Sequence, residues 1–333
     1  MIRYTLILAA AIGFLVTAAA VNMMVPALQR IRIRRLEKPA AGRVLDPSRA
    51  GTPTMGGVGV MLGTLVAVGL SWAGLRVLDE KMLDGHQRLN LLVALAGAFL
   101  FAAWGFWEDY RQEILDRREL HGWQRLTGQA LICVAFLTSL YGIGSLDTGM
   151  VVPFVGYVDF GVLYYPVSLL LILAVVNGAH LSEQADGVCS ITAFMAMLAL
   201  VVVCGLLNGF QLALYAAALA GALLAFLMWN FPPAKITLGR TGSQFVAGSM
   251  VAVAYCLGWP SLLILVAAVY LLEDAIVLLQ AVWYRLTKKL LFCTTPLHAL
   301  LLRAGWSQLR VTLVLGGAAG ACMLLAMLFV RTS

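Results

Sequence analysis

Glu108 and Asp109 stand side by side in Gly105-Phe-Trp-Glu-Asp-Tyr-Arg-Gln112, at the end of an apolar run. Adjacent carboxylates can hold a divalent cation or serve as the base for a nucleophile. A second pair, Glu183 and Asp186, lies with Asn177, His180 and Ser182 in Asn177-Gly-Ala-His-Leu-Ser-Glu-Gln-Ala-Asp-Gly187, between two further apolar runs. Ionisable groups at the mouth of a membrane span are costly to keep there, so they mark a candidate site beside the plainer reading of a solvated helix end. Glycine turns accompany the acids. Gly51-Thr-Pro-Thr-Met-Gly-Gly57 presents Thr52 and Thr54 as hydroxyl donors, with Gly56 and Gly57 opening the next apolar run. Asn230-Phe-Pro-Pro-Ala-Lys-Ile-Thr-Leu-Gly-Arg-Thr-Gly-Ser243 sets Gly239 and Gly242 around Arg240. Backbone N–H groups freed at such turns can receive phosphate, and a guanidinium can grip phosphate oxygens in bidentate fashion. Arg125 and Gln129 fall four apart, on one helix face. Glu273 and Asp274 lie within an apolar stretch, where they need partners or a cavity. His298 follows in Thr294-Thr-Pro-Leu-His298, a position that a structural histidine also fills.

The elements that must position these groups are membrane helices. Hydrophobic residues make up 62% of the 333, charged residues 12%, and mean hydropathy is +0.91, far from a soluble domain. The apolar runs are solid rather than alternating, and each is about the length that crosses a bilayer core as a helix. An all-α polytopic protein is expected, a single transmembrane domain over residues 1–333. Its ten spans fall near 4–27, 54–75, 90–107, 126–142, 161–179, 188–207, 210–229, 244–258, 260–283 and 311–331. The first is expected to remain as an uncleaved anchor. Alternate loops at 28–53, 108–125, 180–187, 230–243 and 284–310 then share one face and carry 18 of the 23 Lys and Arg residues. The positive-inside rule makes that face cytoplasmic and both termini external. Every candidate group therefore falls on or near one face. The basic Arg30–Arg43 stretch reads as a juxtamembrane lipid anchor, and nothing points to nucleic acid. The opposite face offers a short hairpin over Val151 to Phe160. The six scattered cysteines lack disulfide-framework or zinc spacing.

These segments resemble the phospho-N-acetylmuramoyl-pentapeptide transferase (MraY) family, within the polyprenyl-phosphate N-acetylhexosamine-1-phosphate transferases. The resemblance runs from about residue 40 to 315. Gly51–Gly57 is intact. Gly105–Tyr110 resembles the family's Gly-Phe-x-Asp-Asp-Tyr, and Asn177–Gly187 its Asn-Ala-Val-Asn-Leu-Thr-Asp-Gly-Leu-Asp-Gly. Asn230–Ser243 resembles the segment ending Gly-Asp-x-Gly-Ser. Glu273 and Gln280 match a Glu and a Gln at the same spacing, and Pro296-Leu-His298 with Gly305-Trp306 resembles the Pro-x-His-His-His loop. The resemblance implies transfer of phospho-MurNAc-pentapeptide from a UDP carrier onto undecaprenyl phosphate, with release of UMP and use of Mg²⁺. It implies Glu108, Asp109, Glu183, Asp186 and His298 as catalytic positions. Arg49, Thr52, Thr54, Gly56, Gly57, Asn177, His180, Asn230, Gly239, Arg240, Gly242 and Ser243 are the implied substrate contacts. A bacterial inner-membrane location and a homodimer or cell-wall partner are further implications.

Departures from the pattern set the functional expectation. Glu108 replaces an Asp, Gln112 a Lys, and Arg49 a Lys. His180 replaces an Asn, Glu183 an Asp and Gln184 a Gly, while Ala299 and Leu300 stand for two histidines. Arg240 stands where the family has its Mg²⁺-ligating Asp. A guanidinium cannot ligate a cation and at ligand distance repels it by several kcal/mol. No metal and no other cofactor is expected to bind, and catalysis should be impaired while polyprenyl phosphate or a UDP-linked precursor still binds. Two alternatives stay open: an active transferase, on the usual or another UDP-sugar, for which Mg²⁺ would be required, and a lipid flippase. For the last, the inverted repeat expected of a transporter is not found.

Overall fold

The computed structural model describes residues 2–31, 52–78, 85–115, 120–152 and 156–332. Eight long helices lead the chain: α1 (Ile2–Ile31), α2 (Gly57–Leu78), α3 (Gly85–Asp109), α4 (Gly122–Gly142), α5 (Tyr164–Ser182), α6 (Val188–Leu206), α7 (Phe210–Asn230) and α8 (Gly239–Cys256). The short α9 (Leu262–Val266) runs through Ala267 into α10 (Ala268–Thr287), followed by α11 (Leu297–Arg303) and α12 (Gln308–Thr332). Seven of these helices (α1, α2, α3, α5, α6, α7 and α12) are long and apolar enough to cross a membrane. Their outward leucines, among them Leu15, Leu170 and Leu324, are exposed, which suits lipid and not water. The chain is thus a multi-pass helical membrane protein.

The other three expected spans coincide with α4, α8 and α10, which are more polar. For α8 the reason is position: all of its residues from Gly239 to Cys256 are buried. It packs against α3, α5, α2 and α6, and α7 beside it packs on α1 and α6. A helix sheathed by other helices needs no apolar exterior, so Arg240, Thr241, Ser243, Gln244 and Ser249 sit on it at little cost provided each finds a partner. Close approach is set by small residues. A Cβ added at Gly105 of α3 would lie 2.5 Å from the Arg240 carbonyl oxygen, so the two helices meet backbone to backbone where the candidate acids lie.

Several boundaries differ from expectation. Glu108 and Asp109 are the last residues of α3 and not part of a loop; a π-helical turn, Tyr110–Ile114, follows them. His180 and Ser182 complete the last turn of α5, and Gly239–Ser243 is the first turn of α8. The hairpin forms as β1 (Gly149–Val152) against β2 (Gly156–Asp159), antiparallel with Gly149 opposite Asp159. It starts two residues earlier than expected, because Asp147 and Asp159 fasten its open end through Tyr157 and Thr148.

Candidate functional site

The acids cluster where α3, α5 and α6 meet the start of α8. A helix start leaves backbone N–H groups without intrahelical acceptors. In α8, two carboxylates from other helices take three of them. Gly239 N–H donates to Glu183 Oε1 (3.3 Å), Arg240 N–H to Asp109 Oδ1 (3.2 Å), and Thr241 N–H to Asp109 Oδ2 (2.9 Å). The Thr241 hydroxyl adds a fourth bond, to Asp109 Oδ2 at 2.7 Å. The phosphate cradle expected around Gly239 is therefore filled by the protein's own carboxylates, which suit the positive end of the helix dipole as phosphate would.

Glu108 is 2% exposed and is held from three sides. Arg125 Nε donates to Oε1 at 3.2 Å, Gln244 Nε2 donates to Oε2 at 3.2 Å, and the Arg240 guanidinium lies 3.7 Å from Oε2. Arg240 itself is buried. Two guanidinium groups thus flank one carboxylate, while the neighbouring Asp109 accepts three hydrogen bonds. This set does not fit Mg²⁺. The cation would meet Arg240, and Asp109 would have to surrender its hold on α8. Among the described residues, no three His, Cys, Asp or Glu side chains form a metal-binding group.

The two glycine segments meet as a pair. Gly56 N–H donates to the Thr237 carbonyl (2.9 Å), Gly57 N–H to that of Leu238 (2.9 Å), and Thr237 N–H to that of Pro53 (3.0 Å). Gly57 and Gly242 face each other so closely that a Cβ on either would strike the other's backbone. Gly239 has φ +74°, and a side chain there would also collide with Asp109 and the Thr54 hydroxyl. The Thr54 hydroxyl is therefore at the α8 start beside Asp109. Gly242 acts here in packing and not as a free anion turn. Thr52 is half-buried at the edge, and Ser243 is buried, donating to the Arg240 carbonyl. Arg49 lies outside the described residues.

The remaining positions line the same end of the bundle. Asp186 Oδ2 accepts from Ala234 N–H (3.1 Å), and its carbonyl accepts from the Thr312 hydroxyl (2.6 Å), tying the α5–α6 turn to the α7–α8 connection and to α12. Asn230 accepts from Ser190 (2.6 Å) and donates to the Ile236 carbonyl (2.9 Å). Asn177 donates to Gln129 (3.1 Å). The Arg125/Gln129 face of α4 therefore reaches Glu108 with one residue and Asn177 with the other. His180 is buried in the last turn of α5.

Glu273 builds a second polar group. It is fully buried, and its carboxylate accepts from Leu297 N–H (2.8 Å) and His298 N–H (3.3 Å), with His298 Nδ1 at 3.1 Å. Gln280, two turns on, accepts from the Leu291 (3.2 Å) and Phe292 (2.9 Å) N–H groups. Helix α10 thus fixes the segment that leads into α11, whose first turn carries His298. Leu297, Leu301 and Trp306 pack with Ala185 and Val188, so the His298 loop and the Asp186 turn share one small core.

Sequence reasoning missed Thr241, Gln244, Ser190 and Thr312. Gln244 was within reach, since it follows Arg240 by four on one helix face. The other three are hydroxyls whose partners come from distant segments, and no local pattern marks them.

Fold and site define a polytopic membrane protein with a buried acid–guanidinium cluster at one end of its helical bundle. Residues 91–258 match the model of glycosyl transferase family 4. Phospho-N-acetylmuramoyl-pentapeptide-transferases are similar along nearly the whole chain. That of Desulforudis audaxviator is 31% identical over 92% of each chain, and that of Halalkalibacterium halodurans 29% over 93% of each. The chain belongs to glycosyl transferase family 4, in its phospho-N-acetylmuramoyl-pentapeptide transferase (MraY) branch.

Proposed function

We propose that this chain is a member of that family with impaired Mg²⁺-dependent transfer, acting by holding polyprenyl phosphate, a UDP-linked muropeptide precursor or a cell-wall synthesis partner. It forms one domain of ten spans in the bacterial inner membrane, with both termini outside, the site facing the cytoplasm and a second copy as its partner. One observation carries the reading: the buried Arg240 guanidinium, 3.7 Å from Glu108, stands at the start of α8 among the acids that a metal would need. Saturation of Asp109 by Arg240 N–H, Thr241 N–H and the Thr241 hydroxyl supports it. A second reading, an active transferase with altered metal use, is favoured by the docked Thr52–Gly57 turn and by the Glu273–His298 contact. In that case Asp109, Asp186 and His298 would carry the chemistry.

The experiment compares wild type with Arg240→Asp, supplied with UDP-MurNAc-pentapeptide, undecaprenyl phosphate and Mg²⁺, and reads UMP release. No metal-dependent release by the wild type, with polyprenyl phosphate bound equally with and without EDTA, is expected. Metal-dependent turnover by the wild type would overturn the impaired reading in favour of the transferase. Absence of binding to any lipid phosphate or nucleotide would overturn the binding role. Melting temperature supplies a second readout. Arg240→Asp crowds carboxylates, so Mg²⁺ should raise its Tm and leave the wild type unchanged, because a ligand that binds only the folded state stabilises it.

A further inference from the structure

Beyond the site, α10 has a feature that the cluster does not use. Its first half is packed against α5 and α12, with Glu273 fully buried. From Ala281 to Leu291 every residue is exposed, on all faces of the helix and through its end. Val282, Trp283, Tyr284, Leu286, Leu290 and Leu291 are among them, Leu286 being 78% exposed. The last two turns of α10 therefore stand clear of the other described residues. So many exposed large apolar side chains in one segment do not suit water. In a protein that spans the bilayer, lipid is the solvent that suits it.

The charge on this segment is one-sided. Asp274 is the last acidic residue in the sequence, and the 59 residues after it carry Arg285, Lys288, Lys289, Arg303, Arg310 and Arg331. Arg285, Lys288, Lys289, Arg303 and Arg310 are all exposed, and no ion pair is formed by any of these five among the described residues. Lys288 closes α10 in the left-handed conformation (φ 56°), which turns the chain at the point where the basic residues gather. Two of the cations are fixed to the loop beyond it: Arg303 Nη1 donates to the Cys293 carbonyl at 2.7 Å, and Arg310 stacks 4.1 Å above Trp306. Lys288 also lies over the Tyr284 ring, at 5.9 Å. Aromatic rings, leucines and cations without acidic partners, gathered in one segment, form the pattern of a segment seated at the headgroup boundary, with its apolar side chains among acyl chains and its cations on lipid phosphates.

We infer that the projecting end of α10, with the loop to α11, is a docking surface for the anionic phospholipid headgroups of the bilayer. Through Glu273 and Gln280 the same helix holds the 291–298 backbone, so headgroup contact braces the loop that presents His298. This holds whether or not the site turns over substrate.

The test is lipid quenching of Trp283 fluorescence in the full-length protein, reconstituted in bilayers free of polyprenyl phosphate. Trp283→Phe supplies the background from the other seven tryptophans. Brominated phosphatidylglycerol is compared with brominated phosphatidylcholine at equal content, in wild type and in R285Q/K288Q/K289Q. These positions are exposed, so folding is not at stake, and unchanged Tm verifies it. The wild type is expected to favour the anionic quencher about fivefold or more, and the triple variant to lose most of that preference. Equal quenching by the two lipids in the wild type would overturn the proposal. So would a preference that survives the triple substitution, or no quenching by either lipid, which would put the helix end in water.

Discussion

The starts of α8 and α11 are built on the same device and finished differently. In each, a buried carboxylate from another helix receives backbone N–H groups that the helix cannot satisfy itself: Asp109 for α8 and Glu273 for α11. At α11 the carboxylate has one further neighbour, the imidazole of His298. At α8 a hydroxyl joins Asp109, a second carboxylate joins the turn, and the Arg240 guanidinium lies beside Glu108. Both starts are buried, but the α11 carboxylate meets one imidazole, whereas the α8 start gathers two carboxylates, a hydroxyl and a guanidinium. The difference shows that a buried carboxylate of such a site can serve the fold directly. Asp109 has a structural reason to stay even without catalysis, because removing it would strand two N–H groups in the most enclosed helix of the bundle.

That contrast ranks the consequences of mutation. Asp109→Ala should have the largest effect, destabilising by about 3 kcal/mol or more through loss of three hydrogen bonds to a charged acceptor. A thermal melt in detergent measures it; a Tm within a degree of wild type would mean that water or a rearranged α8 replaces the cap. Glu273→Gln should cost less, about 1–2 kcal/mol, since the amide keeps one acceptor oxygen while losing the charge. Its signature is local: hydrogen exchange should quicken in 291–303 and stay slow in α8. Exchange that quickens equally in both would show the two starts to be one cooperative unit.

The scaffold was more legible in the sequence than the site, for a physical reason. Solid apolar runs mark α1, α3 and α12 because lipid demands an apolar exterior, and this demand is local; α7 is as apolar but mostly buried, so its run reports the core. The α8 segment gave a weaker signal because helices, not lipid, surround it. Its buried face is specified by small residues and by partners distant in sequence. Residue types identified Glu108, Asp109, Glu183 and Arg240 as a group, and helical spacing linked Arg125 with Gln129. What no spacing could reveal was the direction of the bonds: Asp109 and Glu183 face a helix start and not open solvent. The glycine turns, read as anion cradles, are interlocked with each other at Gly57 and Gly242. A turn that receives phosphate and a turn that permits close packing have the same composition.

The pairing at Glu108 sharpens the comparison further. Arg240 is one of three groups on that carboxylate, so Arg240→Met should cost less than loss of the sole partner of a buried ion, about 1–2 kcal/mol and not 3–5. A double-mutant cycle with Arg125→Met isolates the sharing. Each guanidinium should compensate for the other, so the double variant should be worse than the sum of the singles by about 1 kcal/mol. Simple additivity would mean that the two guanidinium groups act independently and do not share Glu108. A single Arg240→Met variant as stable as wild type would mean that Arg240 does not stabilise Glu108 at all.

The smallest effect belongs to the same device placed in water. At the opposite end of the bundle, Asp159 accepts from Gly161 N–H (2.9 Å) and the Thr148 hydroxyl (2.8 Å), and these bonds lower its pKa. Across the hairpin the Tyr157 hydroxyl donates to Asp147, which raises the pKa of Tyr157. A lowered carboxylate contributes order above its unfolded pKa, near 4, and loses it as pH falls through the folded value. A raised phenol contributes order below its unfolded pKa, near 10, and loses it as pH rises through the folded value. Hairpin amide exchange, corrected for its intrinsic pH dependence, should therefore show constant protection between those limits and weaken outside them. Tyr157→Phe should remove the alkaline limb alone. Because both groups are exposed and screened, the rest of the molecule should not respond. If protein Tm followed the hairpin's acid limb, an exposed carboxylate cap would matter as much as the buried ones, and burial would not be what separates Asp109 from Asp159.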